Sequence, residues 1–174
     1  ARSRQAAIRA RLQGGGGRGG GPRPREKPTA AGVEGAHPGT VGVMLEGNPT
    51  LLKERVRNLL DNAINYTPST AESPGVITAR VLADPFGRVL VLQVEDSGPG
   101  VSPAERELVF QPFYRALDVD ADGSGLGLPI AQEIAHQHHA TISVEDTRPG
   151  QNPPGARFAV RFEVPRAPVS MDPA

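Results

Sequence analysis

Apolar residues recur at helical spacing in two segments of the chain. The first segment begins at Asn48-Pro49, where Asn is a favoured N-cap and Pro suits the first helical turn, and it is predicted to end near Tyr66. Its apolar stripe is Leu52, Val56, Leu59, Leu60 and Ala63. The second segment predicts a helix over 126–138, in which Pro129 is tolerable because it lies in the first turn.

Shorter apolar runs bounded by turn residues predict four strands, over 76–82, 89–95, 141–145 and 157–164. The first two are separated by a Pro-containing turn and should form a hairpin. Between the second and third strands, two helical segments and a loop are predicted. This order favours an α/β fold, a two-layer sandwich with helices on one face of a mixed, largely antiparallel sheet.

The segment between the second strand and the second long helix carries a separate helix signal. Ser102 is a suitable N-cap, a proline follows it, and Glu105 completes a capping box, so a short helix is predicted to run to about Phe110. Residues 115–123 show no periodicity. We therefore interpret 115–123 as a mobile loop.

The first 38 residues differ in composition from the rest of the chain. Residues 1–27 hold eight Lys or Arg against a single acid, and 14–25 read GGGGRGGGPRPR. Such a segment buries too little apolar surface to fold, so 1–38 is predicted to be a disordered basic linker. The folded domain is predicted over 39–165, followed by a flexible tail at 166–174. The basic linker lacks interleaved aromatic residues, so binding to nucleic acid is not expected.

Composition also excludes several classes of site. The chain contains no cysteine, so disulfides and thiolate metal sites are impossible. It has no run of 18 apolar residues that would cross a membrane. His136, His138 and His139 do not share one face of a helix, which argues against a histidine metal site.

Polar residues form a second stripe on the first helix. Glu54, Asn58, Asn62 and Asn65 fall at i, i+4, i+8 and i+11. Such a stripe is usually a solvated helix face. Asn is a poor helix former, however, and its amide oxygen suits a hard cation such as Mg²⁺. Both interpretations stay open at this point.

An acidic turn follows the second predicted strand. By period-2 alternation Asp96 lies on the same side as Leu90 and Leu92, where a carboxylate needs a partner. The segment from Asp96 to Gly100, with sequence DSGPG, is also a typical turn. Alternatively, an exocyclic amine of a base would satisfy the carboxylate, and the glycines would allow its close approach.

A glycine-rich segment precedes the second long helix. Gly123, Gly125 and Gly127 could present backbone N–H groups and a helix N-terminus to phosphate. The segment matches neither a Walker A loop nor a dinucleotide fingerprint, and it could instead be a flexible hinge. Taken together and in this order, the three motifs indicate an ATP site.

The ordered motifs resemble the catalytic ATP-binding domain of bacterial sensor histidine kinases, within the GHKL ATPase superfamily, over residues 43–164. The matching segments are Asn58–Asn62 for the N box, Asp96–Gly100 for the first G box, Phe110 with Phe113–Arg115 for the F box, and Gly123–Gly127 for the second G box. The stretch over 47–68, which contains the whole first helix, is also similar to kinases that sense tricarboxylates.

This resemblance implies a Bergerat-type fold that binds ATP and Mg²⁺. It implies that Asn62 coordinates the metal with Asn58 close by, that Asp96 receives the adenine amino group, and that Arg115 reaches the phosphates from a lid over 115–123. The catalytic set implied is Asn58, Asn62 and Arg115. The nucleotide contacts implied are Asn58, Asn62, Asn65, Tyr66, Asp96, Gly98, Gly100, Val101, Arg115, Gly123, Gly125, Leu126, Gly127 and Leu128.

The resemblance further implies transfer of the γ-phosphoryl group to a His on a separate phosphoacceptor hairpin, with a response regulator downstream. Superfamily members that hydrolyse ATP carry a Glu where this chain has Asn58, which cannot act as a general base. No His here is followed by an acid, so the chain is expected to be a soluble part of a longer receptor. That receptor would lie in the bacterial inner membrane, with this domain on the cytoplasmic side.

Two alternatives remain open. The chain could be a self-sufficient ATPase of the same superfamily, which Asn58 disfavours. It could also be a nucleotide-binding module that has lost its catalytic role. The second alternative is motivated by Asn65, where the family usually has Lys or Arg, and by Ala156, where many relatives carry Thr.

Overall fold

Six strands form one antiparallel sheet in the computed structural model, which describes residues 4–12, 30–34, 47–70, 72–84, 86, 88–114 and 125–164. The strands are β1 (Arg4–Leu12), β2 (Ala30–Glu34), β3 (Val76–Ala83), β4 (Val89–Asp96), β5 (Ala140–Asp146) and β6 (Ala156–Glu163). Their spatial order is β2-β1-β3-β4-β6-β5, and all five pairings are antiparallel.

Two helices pack on one face of this sheet, α1 (Pro49–Tyr66) and α2 (Gly127–Gln137). The core lies between the helices and the central strands. It includes Leu59 and Ala63 of α1, Leu128, Ala131 and Ala135 of α2, and Val94, Phe158, Val160 and Phe162 of the sheet. The predicted two-layer α/β fold is confirmed, and the bounds of α1 are those predicted.

Two strands lie within the segment that the composition predicted to be a disordered linker. β1 pairs with β3 from Arg4↔Ala83 to Arg11↔Val76, and β2 pairs with β1. A strand signal was present, because apolar and polar residues alternate between Ile8 and Leu12. Pairing with β1 also satisfies backbone groups that an edge strand leaves open. The glycine-rich part of the linker and the predicted tail at 166–174 lie outside the described residues.

The predicted helix after Ser102 is replaced by a series of turns that ends in one short 3₁₀ helix, Leu108–Phe110. Ser102 and Glu105 do contact each other, although not through the side chain–backbone bonds of a capping box: the backbone N of Glu105 donates to the Ser102 carbonyl at 2.9 Å, and the Ser102 hydroxyl donates to the Glu105 carboxylate at 2.6 Å. The segment is too short to gain from helix propagation. Phe110 instead packs edge-on against Phe158, with ring centres 6.3 Å apart.

The end of α2 is bound to the start of α1 through one imidazole. Nε2 of His138 accepts a hydrogen bond from the backbone N of Asn48 at 3.2 Å, so Nδ1 is the protonated nitrogen that donates to the Ile134 carbonyl at 2.8 Å. The Asn48 side chain in turn caps α1 by accepting from the backbone of Thr50 and Leu51. No helix in the described part of the chain is long and apolar enough to cross a membrane.

Candidate functional site

A cavity opens where the C-terminal end of α1, the loop after β4, the start of α2 and the start of β6 meet. It is lined by Asn62, Tyr66, Asp96, Pro99, Gly100, Val101, Glu105, Val109, Tyr114, Leu128, Ala156 and Phe158. Its walls are mostly apolar and carry a few polar groups, which is typical of small-molecule sites. Elements that are distant in sequence therefore build one site.

Asp96 is the buried acid of this cavity, with 5% of its surface exposed. Its Oδ1 accepts hydrogen bonds from the backbone N of Gly98 at 2.8 Å and of Ala156 at 3.1 Å. Burial raises the pKa of Asp96, while these two bonds and the charge of Arg148 act to lower it. No hydrogen bond to Oδ2 is seen among the described residues. The protein thus orients one oxygen and leaves the other for a donor group of a ligand.

Three glycines allow the backbone to pack closely around Asp96. A Cβ on Gly98 would lie 2.5 Å from the Tyr66 carbonyl oxygen, and one on Gly100 would lie 2.7 Å from Cγ of Pro154. At Gly155, which has φ +68°, a Cβ would lie 2.1 Å from the Asp96 carbonyl oxygen. Gly98 and Gly100 were predicted to admit a ligand, whereas the structure shows that all three are also required by backbone packing.

The asparagine stripe of α1 divides between the cavity and the solvent. Asn62 lines the cavity, whereas Asn65 is exposed. Asn58 faces Gly127 at the start of α2, and its Nδ2 is buried without a hydrogen-bond partner in the described structure. A buried amide is normally hydrogen-bonded. The structure therefore favours a ligand site over a solvated face for Asn58 and Asn62.

The remaining predicted site residues fall into three groups. Tyr66, Val101 and Leu128 line the cavity beside Asp96. Gly125, Leu126 and Gly127 lead into α2 without lining the cavity, and the Gly125 carbonyl accepts from the backbone N of Phe113 at 3.1 Å. Arg115 and Gly123, together with the predicted lid over 115–123, lie outside the described residues.

Sequence reasoning missed several residues that line the cavity. Glu105 was interpreted only as a helix cap, but its Oε1 also accepts from the Tyr114 hydroxyl at 2.9 Å. The hydrogen bonds from Ser102 and Tyr114 lower the pKa of Glu105, and the bond to Glu105 raises the pKa of Tyr114. The other missed residues are Pro99, Val109, Tyr114 and Phe158. Ala156, which the resemblance had singled out, also lines the cavity. Period-2 alternation along β6 identifies Phe158 as core-facing, but it does not identify it as a cavity residue.

Comparison with known proteins assigns this arrangement to a family. The family described as Histidine kinase-, DNA gyrase B-, and HSP90-like ATPase matches residues 47–168. The chain belongs to this ATPase family. The match contains both helices and the strands from β3 to β6, and so it includes every element that lines the cavity.

Two proteins with similar sequences are named as histidine-protein kinase/phosphatases. The signal transduction histidine-protein kinase/phosphatase MprB of Mycobacterium sp. strain KMS is 43% identical over 121 residues, which is 69% of this chain and 22% of that protein. MprB of Mycobacterium leprae is 40% identical over 131 residues, which is 75% of this chain and 24% of that protein. The chain thus spans about a quarter of the length of these relatives.

Solved structures show the same similarity. A mycobacterial sensor histidine kinase MprB structure has a TM-score of 0.62 at 32% identity, covering 68% of this chain and 76% of that chain. The catalytic domain of the histidine kinase ThkA, in a nucleotide-free form, has a TM-score of 0.55 at 27% identity, covering 69% and 70%. The predicted resemblance to histidine-kinase ATP-binding domains is confirmed. The finer similarity to tricarboxylate sensors stays a prediction.

Proposed function

We propose that this ATPase-family domain transfers the γ-phosphoryl group of Mg-ATP to a His on a separate phosphoacceptor domain. The observation that carries the proposal is that Asn58 stands where superfamily members that hydrolyse ATP carry a Glu. The two carboxylates of the described cavity are engaged in other contacts or assigned to the adenine base. They are Asp96, whose Oδ1 is held by two backbone amides, and Glu105, which is hydrogen-bonded to Ser102 and Tyr114. Asn58 cannot take a proton from water. This chemistry supports transfer over hydrolysis.

Adenine recognition is assigned to Asp96 and the apolar walls. The free Oδ2 would accept from the exocyclic amine of adenine, and guanine presents a carbonyl at that position. Val101, Val109 and Leu128 would contact the flat faces of the base. The cavity therefore fits a purine that carries its amino group at C6, as adenine does.

Phosphate and metal binding are assigned to Asn58, Asn62 and the N-terminus of α2. Amide oxygens at i and i+4 of one helix face suit a cation that is also ligated by phosphates and waters. The buried, unpaired amide of Asn58 beside Gly127 fits a polar ligand at this place. When bound, Mg²⁺ would neutralise charge on the phosphates. Asn62 is the metal ligand that we propose, with Arg115 as a further phosphate contact.

The whole-protein context follows from the relatives and is part of the same proposal. Because this chain spans about a quarter of MprB, the acceptor His would belong to a helical-hairpin domain elsewhere in the parent protein. The downstream partner would be a response regulator. The parent would be a membrane receptor with this domain on the cytoplasmic side.

Radiolabel transfer measured beside phosphate release tests this proposal. Alone, the chain should bind Mg-ATP without labelling itself or releasing phosphate at an appreciable rate. Mixed with the acceptor domain of its parent, it should place acid-labile phosphate on a His, slowly because the tether is lost. Asn62→Ala should abolish the transfer, and Gln137→Ala, an exposed amide at the end of α2, is the matched control. Robust phosphate release without transfer would favour the ATPase alternative, and ATP binding with neither transfer nor release would favour a nucleotide-binding module that has lost its catalytic role.

A further inference from the structure

The ladder between β4 and β6 ends beside Asp96. Its last pair is Glu95↔Arg157, and the next residues toward the cavity are Asp96 on β4 and Ala156 on β6. The backbone N of Ala156 donates to Oδ1 of Asp96 at 3.1 Å. The position of this amide beside the carboxylate therefore depends on how firmly β6 is held to β4 at the last pair.

Two arginines bind the Glu95 carboxylate on the face of the sheet opposite Asp96. Because side chains alternate along a strand, Glu95 points away from the cavity. Its Oε1 accepts from Nε of Arg157 at 2.8 Å, and its Oε2 accepts from Nη1 of Arg80 on β3. The Glu95 side chain is 8% exposed. Each oxygen of this buried carboxylate thus has a charged donor, as burial of a charge requires.

Arg157 also reaches the turn between β5 and β6. Its Nη2 donates to the Thr147 carbonyl at 3.3 Å. The backbone N of Thr147 in turn donates to the Gly155 carbonyl at 3.1 Å, and the backbone N of Gly155 donates to the Gly98 carbonyl at 3.0 Å. One guanidinium therefore connects β4, through Glu95, to the turn that packs against Gly98.

We propose that Arg157 is a positioning residue for Asp96. Its ion pair with Glu95 holds β6 at the end of the ladder and thereby holds the Ala156 amide against the carboxylate. A guanidinium presents its donors in a fixed fork, so one side chain can hold two acceptors in set directions. The inference rests on the proposed assignment of Asp96 to the adenine amine, because the orientation of the carboxylate affects binding only if the base contacts it. Arg157 thereby influences nucleotide binding from the opposite face of the sheet.

Arg157→Met and Arg80→Met form a matched pair of substitutions. Each removes one of the two arginines that bind Glu95, whose side chains are 31% and 32% exposed, and each leaves the other arginine in place. Of the two, Arg157 lies on the strand that carries Ala156. Arg157→Lys is the conservative variant, because it keeps a charge opposite Glu95 but lacks the fork that also reaches the Thr147 carbonyl.

Hydrogen exchange of the Ala156 amide in the nucleotide-free 174-residue chain is the first readout, with the amide of the fully buried Val160 as the reference. In Arg157→Met the exchange rate of Ala156 relative to Val160 should rise at least about tenfold, because the amide opens locally. The rise should be smaller in Arg157→Lys, and the ratio should keep its wild-type value in Arg80→Met.

A purely structural role of Arg157 would not raise this ratio. An unchanged ratio in Arg157→Met, or an equal rise in Arg80→Met, would overturn the proposal. Arg157→Lys decides the question if the Met variant does not fold, and an unchanged ratio in the Lys variant would then overturn it.

Nucleotide affinity is the second readout. Affinity for a non-hydrolysable ATP analogue should fall at least about threefold in Arg157→Met and stay within about twofold of wild type in Arg80→Met. In an Asp96→Asn background, Arg157→Met should cause no further loss, because both substitutions act on the same contact. Additive losses would overturn the positioning role. A wild type that does not bind the analogue contradicts the proposed nucleotide site instead, whereas amide exchange tests Arg157 without nucleotide.

Discussion

The guanidinium carbon of Arg55 lies 5.0 Å from the centre of the Phe162 ring, so a cation on α1 packs against an aromatic ring of β6. Arg55 is fully buried, and its three guanidinium nitrogens have no hydrogen-bond partner in the described structure. Burial lowers the pKa of Arg55 to about 10, so it is charged at neutral pH. A desolvated cation–π contact of this kind stabilises the folded protein by about 2 kcal/mol. Burying an unpaired charge costs several kcal/mol, which is more than the contact contributes.

Arg55→Met should therefore stabilise the nucleotide-free domain. We expect the free energy of unfolding to rise by about 1–3 kcal/mol, because Met fills a similar volume without an unpaired charge. Urea denaturation measures the change. Arg57→Met is the control, since Arg57 is largely exposed in an i,i+4 pair with Asp61 and should change stability by less than about 0.5 kcal/mol. A less stable Arg55→Met variant would show that the charge has a stabilising partner.

Asp96→Asn should separate stability from nucleotide binding. The Asn Oδ1 can still accept from the backbone of Gly98 and Ala156, but the amide no longer matches an amine donor. We expect affinity for the ATP analogue to fall by about 1.5–3 kcal/mol, measured by calorimetry. Equal affinities in the two proteins, with the fold intact by circular dichroism, would contradict the adenine assignment.

The same variant tests the cost of burying Asp96. Because burial raises the pKa of Asp96 above its usual value, the wild type loses stability as pH rises through that raised value. The nucleotide-free Asp96→Asn protein should therefore be at least as stable as the wild type at neutral pH. Its advantage should vanish as pH falls below the ordinary Asp pKa of 3.8. Unfolding curves measured across this range provide the check.

Gly155→Ala and Gly150→Ala form a matched pair of glycine substitutions. Both residues have positive φ, +68° and +79° respectively, so both variants incur backbone strain of about 1 kcal/mol. At Gly155 the new Cβ would also lie 2.1 Å from the Asp96 carbonyl oxygen, whereas at Gly150 nothing lies within 4 Å. We expect Gly155→Ala to be less stable than Gly150→Ala by about 2 kcal/mol or more. Similar stabilities would show that the β5–β6 turn can move away from Asp96.

Tyr114→Phe and Ser102→Ala test the two hydrogen bonds of Glu105. Each variant removes one donor to the carboxylate, so the pKa of Glu105 should rise in both. The larger rise is expected for Ser102→Ala, since the Ser102 bond is the larger cause of the lowered pKa. Carboxyl NMR measures the change. Tyr114 lines the cavity and Ser102 does not, so only Tyr114→Phe should also weaken binding of the ATP analogue. Equal losses of affinity would contradict that distinction.

Local patterns in the sequence predicted helices α1 and α2 and the strands from β3 to β6. They also singled out Asp96 and Asn62, which both line the cavity. These elements have strong local signals, such as the Asn48-Pro49 start and the alternation that leads to Asp96. The contribution of Gly155 could not be predicted, because it depends on contacts with Asp96 and Gly98, which are far away in the chain. The β1 strand has a local signal, but the neighbouring glycine-rich run outweighed it in a judgement based on composition.

The bond between the Ala156 backbone and Asp96 spans 60 positions of the chain. A nascent or truncated chain that stops before β6 lacks this amide and the Phe158 side chain that lines the cavity. ATP would then bind only the completed domain, which it would stabilise by about 2.7 kcal/mol at a hundredfold excess over Kd. Nucleotide binding and completion of the fold would therefore be linked, because only a chain that includes β6 presents the whole site.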